Sequence, residues 1–212
     1  VFVDINLNNL SFDLDKLENS ITDKTRAIFI THVLGLNAIS DRLLKICEDN
    51  DILLIEDVCE SHGATYNNTK LGSIGFASNF SFYFAHHMST IEGGMISTND
   101  DYFYHFRSTE MNAVLGLCQL DRLDSNNEKR IENYKHFINS LNSEKYHTEF
   151  KMDGQCNYAF TVVMKNSDID LRNRIEQMLR DNGIEFRRGM SGGGNQMRQP
   201  YFDNHNFNFD NF

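Results

Sequence analysis

Two adjacent imidazoles, His86 and His87, stand in the stretch Ser81-Phe82-Tyr83-Phe84-Ala85-His86-His87-Met88-Ser89-Thr90-Ile91-Glu92-Gly93-Gly94. Imidazole titrates near neutrality, so a histidine held in a polar loop can take a proton and return it during a reaction. The stretch begins apolar and aromatic, as the end of a buried strand does, and closes on a Gly-Gly pair where the backbone turns freely. A second polar cluster, Glu56-Asp57-Val58-Cys59-Glu60-Ser61-His62-Gly63-Ala64, follows the apolar run Ile52-Leu53-Leu54-Ile55. Carboxylates and imidazoles beyond the carboxyl ends of strands are the groups that α/β enzymes use to bind ligands and move protons. Adjacent histidines rarely chelate one ion and no third ligand sits at a usual spacing, so no metal site is expected.

The elements that must carry these groups read as strand and helix in alternation. Val1 to Asp4 looks like a strand. Asp13 caps a short helix to Ile21, with Leu14, Leu17 and Ile21 on one face. Ala27 to Thr31 is a continuous apolar strand, expected to be buried on both faces as in parallel sheets. Ser40 caps a helix to about Asn50, and Ile52 to Ile55 is the next strand, which completes a βαβ unit. Ala77 to Phe82 and Met95 to Thr98 read as further strands, and Asn99 or Asp100 caps a helix through Phe106. Asn112–Leu123 and Glu128–Leu141 carry two amphipathic helical patterns. Tyr158 to Met164 reads as a strand, and Leu171 to Asn182 as a helix that Gly183 closes. The expected organisation is a large α/β domain over residues 1–124 and a smaller α+β domain over 125–212.

Composition narrows the class of partner. With 212 residues, 40% of them apolar and 17 of them Phe, the chain has ample material for a packed core. A net charge of −10 argues against nucleic-acid binding but leaves room for one positive pocket that takes a phosphate-bearing small molecule. No apolar run approaches a membrane span. Cys47, Cys59, Cys118 and Cys156 form no CxxC pair and read as reduced thiols of a cytoplasmic protein.

Together, Thr31-His32-Val33-Leu34-Gly35, the Glu56–Ala64 cluster, the Ser81–Gly94 stretch and Glu110-Met111-Asn112-Ala113-Val114-Leu115-Gly116-Leu117-Cys118-Gln119-Leu120 resemble the DegT/DnrJ/EryC1/StrS aminotransferases. The resemblance implies a fold-type-I α/β architecture that binds pyridoxal 5′-phosphate, with part of a smaller C-terminal α+β domain. In that family a lysine after the Ser-Phe pair links covalently to the coenzyme. Here His86 holds that position, and no lysine occurs between Leu71 and Glu128. Imidazole cannot hold an aldehyde in that way. The Phe84-Ala85-His86-His87 run is similar to the subgroup of 3-dehydratases that act on 4-keto-6-deoxy nucleotide sugars, nearest to those using GDP-4-keto-6-deoxy-mannose. Gly183-Ile184-Glu185-Phe186-Arg187-Arg188, Gly194-Asn195 and Arg198-Gln199-Pro200-Tyr201-Phe202 look like the same subgroup.

The resemblance implies a set of roles. His86 is the catalytic base, and the coenzyme works as pyridoxamine 5′-phosphate, reloaded by L-glutamate. Asp57 pairs with its ring nitrogen, Glu60 lies near its 3-oxygen, Ser81 bonds its phosphate, and Arg187 binds substrate. His87 points elsewhere, while His32 and His62 are structural. A homodimer with shared active sites is implied. Two other readings stay open, a sugar aminotransferase whose lysine lies elsewhere and an inactive remnant that keeps only the fold. The chain opens as if mid-strand without an initiator methionine, so it reads as part of a longer protein. The family's phosphate-cradling loop is expected upstream of Val1, and a segment is expected to be missing where Arg107-Ser108-Thr109 join. The polypeptide as it stands is therefore expected to bind coenzyme weakly.

Overall fold

A computed structural model describes residues 1–100 and 108–187. The helix expected after an Asn99 or Asp100 cap and running through Phe106, the Arg107 side of the expected junction, and the motifs from Arg188 to Phe202 lie outside the described residues. The chain forms two compact units, residues 1–163 and 164–212.

The first unit is built on a four-stranded sheet in the order β1-β2-β5-β6. Strands β1 (Ala27–Thr31), β2 (Leu53–Asp57) and β5 (Ala77–Ser81) run parallel, and β6 (Gly94–Thr98) returns antiparallel beside β5. The βαβ unit forms as its pattern predicts. Helix α1 (Leu14–Ser20) starts at Asp13, whose carboxylate accepts from the backbone of Asp15 and Lys16. Helix α2 (Asp41–Asp49) starts at Ser40, whose hydroxyl accepts from the Leu43 amide. The buried side chains Leu43, Ile46 and Cys47 of α2 join Leu17, Ile28, Ile30 and Leu54 in one core. Each such side chain contributes about 1.5–3 kcal/mol by leaving water. A short antiparallel hairpin, β3 (Thr65–Tyr66) and β4 (Thr69–Lys70), turns through Asn67 and Asn68, both at positive φ, the geometry that suits a two-residue hairpin loop.

Four expectations need correction. Strand β1 is buried on one face only, because α1 and α2 both cover the side carrying Ile28 and Ile30. Phe29 is 54% exposed and Leu53 47% exposed on the other side. Val1 to Asp4 forms no strand; Val3 packs against the core, Asp4 accepts the Asp13 amide and pairs with Lys16, and a bridge between Ile5 and Phe12 follows, tied by the Asn6 side chain to the carbonyls of Ser11 and Phe12. The two helical patterns are a single helix, α3 (Glu110–Ser140), in which residue 124 lies mid-helix. No Gly or Pro interrupts Asp124-Ser125-Asn126-Asn127, and Leu123, Asn127, Tyr134 and Ile138 keep one buried stripe across it. Tyr158 to Met164 forms no extended strand. The chain before it is instead a strap: Cys156 donates its amide to the Gly35 carbonyl (3.0 Å), Tyr158 to Leu34 (2.9 Å), and Gly154 accepts from Thr65 (2.8 Å).

In the second unit α4 (Ile169–Asp181) starts at Asp168 and ends with Gly183 at φ +65°. The amides of Gly183 and Ile184 close back on Arg180 and Leu179, the C-cap that the sequence predicts.

The strap sets a local steric limit. Gly154 has φ +70°, and a Cβ there would lie 1.8 Å from the Thr65 carbonyl oxygen. The Gly154→Ala variant should lose about 3 kcal/mol or more in urea unfolding. Gly116→Ala, in α3 with its nearest contact at an ordinary 3.5 Å, should instead gain up to about 1 kcal/mol.

Candidate active site

Strand alternation sends the neighbouring carboxylates at the end of β2 to opposite faces. Glu56 faces the core and is completely buried. Its Oε1 accepts the amides of Ile74 (3.0 Å) and Gly75 (2.7 Å), and Oε2 accepts that of Gly72 (2.9 Å). His32 supplies the fourth donor, with Nε2 at 3.2 Å from Oε2. The Ala38 amide donates to His32 Nδ1 (3.2 Å), which fixes the proton on Nε2. Burial pushes the Glu56 carboxyl up, but the bonds from His32, Gly75 and Gly72 outweigh it and hold its pKa below the ordinary value.

Asp57 faces the side on which Phe29 and Leu53 are uncovered. Its Oδ1 accepts the Cys59 amide (3.1 Å) and the side-chain amide of Asn79 (3.0 Å), which stands directly opposite it on β5. The Cys59 thiol accepts from the same Asn79 nitrogen (3.1 Å) and is pushed up to about 12 by burial and by Asp57 beside it. Glu60 accepts the Leu34 amide at 2.7 Å, which secures a turn where Leu34 itself has φ +56°.

Ser81 ends β5, and the loop after it folds back on itself. Phe82 exchanges backbone bonds with Gly93 and Thr90, each at 2.9 Å. Asn112, at the start of α3, clamps the loop by donating to the carbonyls of Glu92 (2.7 Å) and Thr90 (3.1 Å). This closed loop presents His86 between aromatic neighbours: its ring centroid lies 5.6 Å from Tyr158, 6.0 Å from His62 and 6.4 Å from Tyr83. His87 turns inward and donates from Nε2 to the Cys156 carbonyl of the strap (3.3 Å). His62 is buried beneath both, edged by Phe80 and Phe82, with its own carbonyl held by Asn127 of α3 (2.8 Å). Burial, then His87 and His86, pull the His62 imidazole down to about 3. Burial and the nearby Arg130 bring His87 to about 4. Lys70, the nearest lysine preceding the loop in sequence, is turned to the Gly63 carbonyl and Asp124.

Asp57, Glu60, Ser81 and His86 thus belong to the same unit and gather at the carboxyl end of its parallel strands, the usual place for a ligand in such a sheet. Arg187 is exposed and belongs to the second unit. Asn79, Asn112 and Tyr158 take part in the arrangement without having been singled out by sequence. Asn79 shares a strand face with Ser81 two residues on, a legible signal; Tyr158 arrives through the strap, which has no local signature.

The arrangement fits a pyridine coenzyme. A carboxylate braced by two N–H donors at a strand end suits a protonated ring nitrogen, and the loop after β5 offers an imidazole and no lysine amine. The fold is that of the aminotransferases that use this coenzyme: over 87% of this chain and 58% of the other, it superposes with a TM-score of 0.78 and 29% identity on Escherichia coli GDP-4-keto-6-deoxy-D-mannose 3-dehydratase with bound hydrated PLP. A structure of the same enzyme activity with a trapped PLP–glutamate geminal diamine gives a TM-score of 0.78 at 27% identity, with coverage of 87% and 58%. The chain belongs to the DegT/DnrJ/EryC1/StrS aminotransferase family, whose model matches residues 1–105 and 103–209. It is 30% identical to GDP-4-keto-6-deoxy-D-mannose 3-dehydratase of Escherichia coli O55:H7 over 233 residues, which cover 90% of this chain and 60% of the relative. The chain therefore spans about three fifths of that relative's length.

The two depressed histidines give folding a pH dependence. Both bind a proton more readily unfolded, near pH 6.5, than folded, near pH 3 to 4. The unfolded state thus takes up more protons as pH falls below 6.5, and stability falls with it by up to about 1.4 kcal/mol per pH unit for each histidine. Urea unfolding between pH 7 and 5 should show this loss, and the slope should be about halved in His62→Leu.

Proposed function

We propose that the protein catalyses the pyridoxamine 5′-phosphate-dependent 3-dehydration of a 4-keto-6-deoxy nucleotide sugar, GDP-4-keto-6-deoxy-mannose being the substrate that its relatives favour. The observation that carries this reading is the imidazole of His86 on the closed loop after β5, in a chain with no lysine from Leu71 to Glu128. When bound, the coenzyme supplies an amine that condenses with the C4 ketone and a ring that accepts electrons from the adjacent carbon.

The residues divide the remaining work. His86 takes the proton from the coenzyme C4′ carbon and returns it to the C3 hydroxyl as that group leaves as water. Asp57 pairs with the ring N–H and keeps it protonated. Ser81 holds the phosphate, Glu60 lies by the ring 3-oxygen while bracing Leu34, and Arg187 binds substrate oxygens. His87 is committed to the Cys156 carbonyl, which leaves the base role to His86. L-glutamate restores the amine, and the hydrolysed product is the 3-deoxy ketone with ammonia. A cytoplasmic homodimer with shared sites is part of this proposal; among the described residues no helix is long and apolar enough to cross a membrane. So is the internal shortening at Arg107-Ser108-Thr109. The two family matches meet at residues 103–105, and the 233-residue alignment is longer than the 212-residue chain.

The test is product analysis with glutamate and GDP-4-keto-6-deoxy-mannose. Ammonia should appear without any amino sugar, and His86→Ala should slow its release by about a hundredfold or more. His86→Lys should acquire a borohydride-fixed coenzyme adduct at position 86, seen by mass spectrometry, and lose dehydration. An amino-sugar product from the unmodified protein would favour the aminotransferase reading.

A further inference from the structure

The geometry points to Asn79 as the positioning residue that aims Asp57 at the coenzyme ring nitrogen, an assignment that rests on the coenzyme reading above. The parallel pairing sets Asn79 directly opposite Asp57. Its side-chain nitrogen donates to Asp57 Oδ1 at 3.0 Å, and the Cys59 amide donates to that same oxygen at 3.1 Å. A carboxylate gripped twice through one oxygen cannot rotate about its terminal torsion without losing both bonds, each worth more than a neutral hydrogen bond. The grip fixes the plane of the group and turns Oδ2 away from these donors. The Asn79 nitrogen also reaches the Cys59 thiol at 3.1 Å, so it is held from a second side. Its carbonyl accepts the Val58 amide at 3.0 Å, which pins the β5 backbone to the segment that follows Asp57.

Asn79 therefore brings no charge of its own to the site. It acts by limiting where the Asp57 charge can be. Alanine at this position leaves Asp57 held by the Cys59 amide alone and free to swing. Aspartate would set a second carboxylate against the first, and the pair would share a proton or separate.

Two ligands separate this role from a merely structural one: pyridoxamine 5′-phosphate, and its analogue with carbon in place of the ring nitrogen. Binding at millimolar concentration is read by chemical-shift titration of the full chain, with the melting temperature as a check on folding. The expected result is that Asn79→Ala weakens pyridoxamine 5′-phosphate about tenfold and leaves the carbon analogue unchanged, with Asn79→Asp weaker still for the nitrogen ligand. Equal loss for both ligands, or no loss for either, overturns the role of Asn79 while leaving the coenzyme reading intact. A wild-type chain that shows no preference for the nitrogen ligand overturns the pairing of Asp57 with the ring, and this inference with it.

Discussion

The buried carboxylate of Glu56 is the interaction on which the ligand end of the sheet depends. An unpaired charge at that depth would cost several kcal/mol, so the fold surrounds it with three backbone amides and one imidazole. Those donors come from two separate places in the chain. His32 follows β1, and Gly72, Ile74 and Gly75 form the approach to β5. A single side chain on the central strand thereby fixes both neighbouring connections, and with them the level at which Asp57, Asn79 and Ser81 emerge.

Above this knot the histidines are graded by burial. His62 and His87 lie in surroundings too dry to tolerate a charge, which is why their pKa values fall to about 3 and 4. They serve as neutral, space-filling rings: one supports the loop from below, the other hooks it to the strap at Cys156. His86 rides on that support, faced by Tyr158 and Tyr83. Asn112 ties the far side of the loop to α3, so the histidine turn is held by the strap on one side and by a helix on the other.

Much of this was legible in the sequence, for reasons that are local. Asp13 and Ser40 announce helix starts, Gly183 announces a stop, and the apolar runs at 27–31 and 52–55 announce parallel strands. The order Glu56-Asp57 and Ser81 to Gly94 places polar groups at strand ends. What was not legible is long-range. Nothing in Gly154-Gln155-Cys156-Asn157-Tyr158 indicates that it will lie along Leu34 and Gly35, because those two partners belong to the connection after β1, at the other end of this unit's sequence. The break expected inside α3 fails because Asn127, a poor helix former, gains a tertiary bond to the His62 carbonyl that offsets its propensity. The one-sided burial of β1 was equally hidden, since an apolar run does not say which neighbours will cover it.

Glu56 and Asp57 are chemically near-equivalent neighbours, and only the pairing of β2 with β1 and β5 decides which is which. A slip of one residue would exchange their faces, carrying the shorter carboxylate into the amide nest and the longer one to the face of Phe29 and Leu53. The nest is built for the reach of a glutamate, so the shorter chain would leave its donors unanswered. The contrast between the two acids therefore also acts as a proofreading device for strand alignment, in which the demand of a buried nest selects the pairing that turns Asp57 to the opposite face beside Asn79.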